Sequence, residues 1–255
     1  TGFETQFCYG CTDQYAINYD QEAEIDDGSC SYDEVNGSLE FDGIDDRIEI
    51  PDNNILDLGV SDFTLEAWAS NRNIGDEKYI FGKMAGTRYG YGLNKEGNNQ
   101  TGATFRSDGP WEEAFVNTYS DSLYLNQWYH LVGVLDRDVG AKLYVNGVLV
   151  NDLEDSRLDG IDLSNNEMLA IGVLSSWGGY WDGWIDDVRI WNYALSQEEA
   201  MLSFLGENIQ TDGLVGYWDF NEGNGSISND ISGHNNHGNI IGALWSNNIP
   251  NLGCL

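Results

Sequence analysis

The sequence predicts an all-β protein, a sandwich of two antiparallel sheets with a single short helix. Three observations predict it. Short segments alternate apolar and polar residues with the period of half-buried strands. The 31 Gly against 3 Pro suit many short strands joined by tight turns. Only one stretch starts a helix well: Ser196-Gln197-Glu198-Glu199 before Ala200-Met201-Leu202 is a capping box, whose Ser and Glu satisfy exposed backbone donors reciprocally.

The elements follow in order from Asn36. Residues 38–41, 47–50 and 63–69 alternate properly as strands. Residues 129–135 and 142–145 come next, and the latter turn at Asn146-Gly147 into residues 148–150. Asn-Gly supplies the two positive φ values of a type I′ turn, so this pair reads as a hairpin. Residues 169–172, 184–191 and 214–220 complete the set around the helix. Trp68, Trp128, Trp191 and Trp218 stand among polar neighbours in these strands and are assigned to the core. With 255 residues, 41% apolar and 13% aromatic, the chain can bury a substantial core.

Eleven Lys and Arg against 43 Asp and Glu give a net charge of −32. Such a surface repels nucleic acid and anionic membranes, and no stretch of ~20 apolar residues is present to span a bilayer. Hard cations are the natural counterpart, because Ca²⁺ takes oxygen ligands from carboxylates and carbonyls. Most of the carboxylates are expected simply to be solvated.

The four cysteines are Cys8, Cys11, Cys30 and Cys254. Cys8 and Cys11 fit a CxxC spacing, but a βαβ context or a second zinc-ligand pair is lacking, and disulfides in an oxidising compartment account for them better. Residues 1–33 differ in character from the rest, with Asp and Asn at short spacings between Gly10-Cys11-Thr12-Asp13 and Asp26-Asp27-Gly28-Ser29-Cys30. This segment resembles the short acidic repeats of secreted Bacteroidetes surface proteins and, more distantly, the thrombospondin type 3 repeat. The resemblance implies a Cys11–Cys30 disulfide closing a small linker module. Asp13, Asp20, Asp26 and Asp27 then either ligate Ca²⁺ or make Asx turns. Gly253-Cys254-Leu255 looks like the start of a second such repeat, which would make the chain one unit of a tandem array. Cys254 would then pair beyond this unit, or alternatively with Cys8.

A second resemblance covers nearly all of residues 36–250. Phe41-Asp42-Gly43-Ile44-Asp45-Asp46, Phe63-Thr64-Leu65-Glu66-Ala67-Trp68, Trp128-Tyr129-His130, Leu143-Tyr144-Val145-Asn146-Gly147 and Ile185-Asp186-Asp187-Val188-Arg189-Ile190-Trp191 occur in the order found in bacterial laminin-G-like domains. The chain is thereby identified as a member of the concanavalin A-like lectin/glucanase superfamily, which implies a jelly-roll sandwich spanning residues 34–252. One feature departs from the family: Gly213-Leu214-Val215-Gly216-Tyr217-Trp218-Asp219-Phe220 resembles an opening strand but comes last. A circular permutation, with residues 213–250 supplying the first strand, is the preferred account.

The resemblance also nominates site residues. It implies a structural Ca²⁺ held by Asp186, with Asp219 or Glu222 near it and Asp42 from the turn after the first strand. Asp187, its neighbour on the strand, would face the other way and pair with Arg189. Sugars stack on aromatic rings, and two loops offer them: Trp177 with Tyr180, and Arg106 with Trp111. Trp177 and Trp111 serve either as sugar platforms or as buried loop anchors. Catalysis is poorly supported, since Glu40-Phe41-Asp42-Gly43-Ile44-Asp45 only approximates a glucanase carboxylate motif and is broken by Gly43. His130, His234 and His237 stand near no nucleophile elbow, so structural roles are expected. The expected function is a non-catalytic, extracellular adhesion or carbohydrate-binding module whose partners are surface glycans or neighbouring copies. A purely structural unit of a fibre is the alternative, and a glycoside hydrolase a more distant one.

Overall fold

The computed structural model describes residues 9–10, 12, 21–26, 36–73, 75, 77–84, 89–97, 100–106, 115–174, 178–207 and 209–250. Cys8, Cys11, Cys30, Cys254, Asp13, Asp20, Asp27, Trp111 and Trp177 lie outside the described residues, as does the side chain of Asp26. The chain divides into two units, Thr1–Asn36 and Gly37–Leu255. In the first, β1 (Tyr9–Gly10) and β2 (Ile25–Asp26) pair in parallel, Tyr9 opposite Ile25.

The second unit is a sandwich of two antiparallel sheets of eight strands each. Its strands are β3 (Ser38–Asp42), β4 (Arg47–Ile50), β5 (Phe63–Asn71), β6 (Lys78–Met84), β7 (Gly90–Lys95) and β8 (Gln100–Arg106). They continue through β9 (Phe115–Ser122), β10 (Trp128–Asp136), β11 (Gly140–Val145), β12 (Val148–Glu154), β13 (Leu169–Ile171) and β14 (Asp182–Trp191). After helix α1 (Gln197–Phe204) come β15 (Leu214–Trp218), β16 (Ile227–Ser228), β17 (Gly238–Ile241) and β18 (Leu244–Ser246). One sheet runs β12-β11-β10-β5-β14-β3-β18, with β15 also on β14; the other runs β16-β17-β4-β13-β6-β7-β8-β9.

The turn chemistry read from the sequence operates in the fold. Asn146 and Gly147 take φ values of 51° and 73° and join β11 to β12 with Val145 opposite Val148. Ser196 Oγ accepts from the Glu199 amide, and Glu199 Oε2 accepts from the Ser196 amide at 2.7 Å, closing the capping box of α1.

Strand β14 organises the candidate site. Its first half pairs with β3, Asp182 opposite Asp42 through Ile185 opposite Leu39. Its second half pairs with β15, Val188 opposite Trp218. Two strands distant in sequence thus lie end to end along one edge of β14. Where they meet, Gly37 packs so closely that a Cβ there would stand 2.5 Å from the Phe220 carbonyl oxygen. On the other edge of β14 the register with β5 shifts between Asp186 and Arg189, and Asp187 takes a φ of 49°. This is a β-bulge, a device that re-aims side chains. Residues 213–250 pair wholly within the sandwich, β15 and β18 in one sheet, β16 and β17 in the other.

The main core lies between the sheets and includes Leu39, Phe41, Phe63, Phe81, Phe105 and Trp218, each fully buried. A second apolar cluster covers the outer face of the first sheet, where Val132, Val134, Tyr144 and Trp191 meet Leu195 and Ala200 of the helical segment. Trp128 corrects the expectation for the core tryptophans. It is half-buried, and its indole N–H donates to Asn248 at 3.2 Å, because it starts β10 at the sheet margin.

Several of the few cations point inward. Lys83 is fully buried between Asp52 (2.8 Å) and Asp57 (2.9 Å) and also donates to the Asn165 carbonyl. Arg137 is 3% exposed and donates to the carbonyls of Gly59, Ser61 and Leu158, tying two loops together. A buried charge is tolerated only when paired and hydrogen-bonded in this way.

Candidate functional site

Asp186 sits at the bulge where β3 begins and β15 ends, and it is 6% exposed. Its Oδ1 accepts the Asp187 amide at 2.8 Å. Burial, then the Asp187 and Asp219 charges, pushes its pKa up to about 9. Asp187 pairs instead with Arg189 at 3.1 Å and accepts the Tyr217 hydroxyl at 2.6 Å.

Ca²⁺, which the family resemblance implies here, can be tested for fit against this donor set. The Asp187 and Asp219 charges disfavour ionisation of Asp186, the condition a cation relieves. One oxygen of Glu222 is buried without a hydrogen-bond partner, while the other accepts the Asn229 amide at 2.5 Å. The two oxygens of Asp219 accept from the amide and side chain of Asn221. Asp186 and Asp219 thus offer carboxylates of the kind calcium takes, and backbone carbonyls would have to complete its six to eight oxygens.

Asp42 is placed elsewhere. It lies opposite Asp182, four residues along β14 from Asp186, a separation of roughly 13 Å in a strand. Its carboxylate belongs with those of Asp45 and Asp46, whose oxygens lie within 4.8 Å of one another. Turn bonds account for the arrangement: Asp42 Oδ1 accepts the Ile44 amide at 2.8 Å, and Asp46 Oδ2 accepts the Asp42 amide at 2.9 Å. Burial, partly offset by that bond, raises the Asp46 pKa, and the charges of Asp42 and Asp45 add to the rise.

The two proposed sugar loops are also separated. Tyr180 follows Gly178 and Gly179, both at positive φ, and the Gly179 carbonyl accepts the Tyr79 amide at the start of β6. Arg106 ends β8 opposite Gly90, which in turn pairs with Met84 at the far end of β6. The length of β6 stands between them.

Glu66, in the strand resembling the family's second motif, proves to be the hub of a buried network that the sequence did not single out. It is fully buried, and its Oε1 accepts from Arg189 (2.6 Å), from His130 Nε2 (3.1 Å) and from the Ser203 hydroxyl. Its Oε2 accepts the Trp191 indole at 3.0 Å. Burial alone would raise its pKa, but Arg189 and then His130 and Ser203 overcome this and hold it far below the usual carboxylate range. Ser203 is on α1, so the network pins the helix to the sheet. His130 lies 5.1 Å from the Trp68 ring and 6.0 Å from Phe204, a structural environment.

Two open clefts stand out among the described residues. One, of about 400 Å³, is lined by Glu49, Pro51, Asp52, Asn166, Glu167 and Met168. The other, of about 420 Å³, lies over β10, β11 and β12 beside Ala194–Gln197. No helix among the described residues is long and apolar enough to cross a membrane.

Comparison with known proteins places this architecture. A putative carbohydrate binding protein from Bacteroides ovatus is similar, with a TM-score of 0.64 and 19% identity over 87% of this chain. The chain spans 62% of that protein's length. A heptameric SAP-like pentraxin from Limulus polyphemus is similar at a TM-score of 0.52 and 15% identity, covering 69% of this chain and 86% of the pentraxin. The binding domain of botulinum neurotoxin serotype D matches at a TM-score of 0.52 and 19% identity, over 66% of this chain and 41% of that one. No curated protein sequence matches this chain. The family model Laminin_G_3 matches residues 42–201, well over half of the chain, on the strands described above, and the chain therefore belongs to the concanavalin A-like lectin/glucanases superfamily.

Proposed function

We propose that the chain is a non-catalytic carbohydrate-binding module of an extracellular protein, stabilised by calcium at Asp186. The observation that carries this reading is the family match on a complete two-sheet sandwich. One solved structure of similar fold is that of a putative carbohydrate binding protein, which agrees with it.

The state of the carboxylates supports a binding role over a hydrolytic one. A retaining glycosidase needs two carboxyl groups ~5–5.5 Å apart and free to act on the sugar. Glu40 is instead bonded to Arg72, which also holds Asp182 at 2.9 Å, and Asp42 accepts turn amides. Glu66 is saturated by its four donors within the protein. The acidic surface and the cysteines suit an extracellular setting.

A glycan microarray probed with the purified chain, once in Ca²⁺ and once in chelator, tests the reading. Reproducible binding to at least one neutral polysaccharide or oligosaccharide is expected. Silence across the array in both conditions would refute it and favour a purely structural unit.

A further inference from the structure

We propose that the cleft over β10, β11 and β12 binds a short neutral oligosaccharide, anchored by the Tyr144 hydroxyl at its floor. The proposal rests on the carbohydrate-binding reading above and gives that reading a location.

The cleft is built by strand geometry. Val134 and Asp136 share the outward face of β10, and Lys142 and Tyr144 share that of β11. On β12, a register shift puts Leu149 opposite Tyr144 but Asp152 opposite Lys142, leaving Val150 as the extra residue. Without that bulge, Leu149 and Asp152 would point to opposite faces. With it, both line the cleft, and Ala194–Gln197 forms the wall.

Tyr144 is the observation that points to a ligand. The residue is 3% exposed, and its hydroxyl, which no described residue bonds, is not shut off from solvent but opens into the cleft. A phenol hydroxyl that opens into a cleft above its own apolar ring can exchange water for a ligand hydroxyl. Burial, and secondarily the Asp152 charge, raises its pKa, so the phenol stays protonated and able to donate. Lys142 likewise has no ion-pair partner among the described residues, in a chain with four times as many acidic as basic side chains.

The ligand class follows from the lining. The floor is apolar, made by Val134, Leu149 and the Tyr144 ring, while the rim sets the Lys142 donor between the acceptors Asp136 and Asp152. Gln197 adds an amide that both donates and accepts. A sugar ring matches this pattern, offering C–H faces to the floor and hydroxyls, each donor and acceptor, to the rim. Sulfated, phosphorylated or uronate ligands are disfavoured by the two carboxylates and by the charge of −32. A volume of about 420 Å³ suits a small ligand. The Ser196 hydroxyl is engaged in the capping box, so the helix start contributes no free group through it.

The test is calorimetric titration of wild type, Tyr144→Phe, Gln197→Ala and Tyr180→Ala with arabinotriose, xylotriose, mannotriose and cellotriose, plus the tightest array ligand. Tyr144→Phe removes one unpartnered oxygen, so its melting temperature should match wild type while affinity falls roughly tenfold. Gln197→Ala should weaken binding less, and Tyr180→Ala should leave it unchanged. Wild-type binding that survives Tyr144→Phe and Gln197→Ala, or that Tyr180→Ala abolishes, overturns this location and leaves the function standing. No wild-type binding to any of these sugars overturns the function and the site together.

Discussion

Replacing Glu66 by Gln tests how the outer face of the first sheet is held. The substitution keeps size and planarity but removes the charge that Arg189 (2.6 Å), His130, Ser203 and Trp191 all address. An amide nitrogen would then face at least one donor. Breaking a buried ion pair from one side costs ~3–5 kcal/mol. Arg189 keeps Asp187 at 3.1 Å and the Tyr217 hydroxyl at 2.7 Å, so the lower end applies, about 3 kcal/mol. For a domain the size of Gly37–Leu255 that lowers the melting temperature by ~6–12 °C. Thermal unfolding followed by circular dichroism at neutral pH measures it. A shift below ~2 °C would refute the view that this carboxylate clamps helix and sheet. The double variant Glu66→Leu with Arg189→Met should lose less than the sum of the two single variants, since each single change leaves the other member of the buried pair uncompensated.

Other outcomes follow from the same physics. Because the pKa of Glu66 is lowered in the folded state, its stabilisation is present above the usual carboxylate range and lost as pH falls below it. Acid titration of stability should therefore show a shallower limb for Glu66→Gln than for wild type. Asp186 has the opposite sign: its raised pKa means its favourable contribution is lost as pH rises from about 4 toward 9. In chelator at pH 8, Asp186→Asn should melt at or above wild type. In Ca²⁺ at a hundred times the dissociation constant, wild type should gain about 2.7 kcal/mol and the variant little. Equal melting curves for wild type with and without Ca²⁺ would remove calcium from the account. Gly147→Ala places a Cβ 2.8 Å from the Met201 sulfur at a φ of 73°, and should cost ~1–2 kcal/mol in a urea titration.

Much of the fold was legible because its signals are local. The Asn146-Gly147 turn and the Ser196–Glu199 capping box each depend on a few adjacent residues. Strands β6 to β8 were not legible. Lys83, Asn94 and Lys95 are buried in them, so the polar positions that mark a solvent face are absent. Their partners, Asp52 and Asp57 for Lys83 and the Gly75 carbonyl for Lys95, lie in distant loops. The candidate site divided in the same manner. Asp186 and Asp219 could be nominated from motifs, and the structure brings their charges together. Tyr144 could not, because it reads as one more apolar residue of a strand. Its significance lies in a bulge on β12 and in a hydrogen bond the protein does not supply.

The central claim is that this sandwich binds a glycan without cutting it. The most direct measurement is calorimetric titration with the tightest array ligand, followed by chromatography of the sugar recovered from the cell. The account predicts saturable binding to one site per chain and a ligand recovered at its original length. Heat of dilution alone, or a shortened sugar, would contradict it.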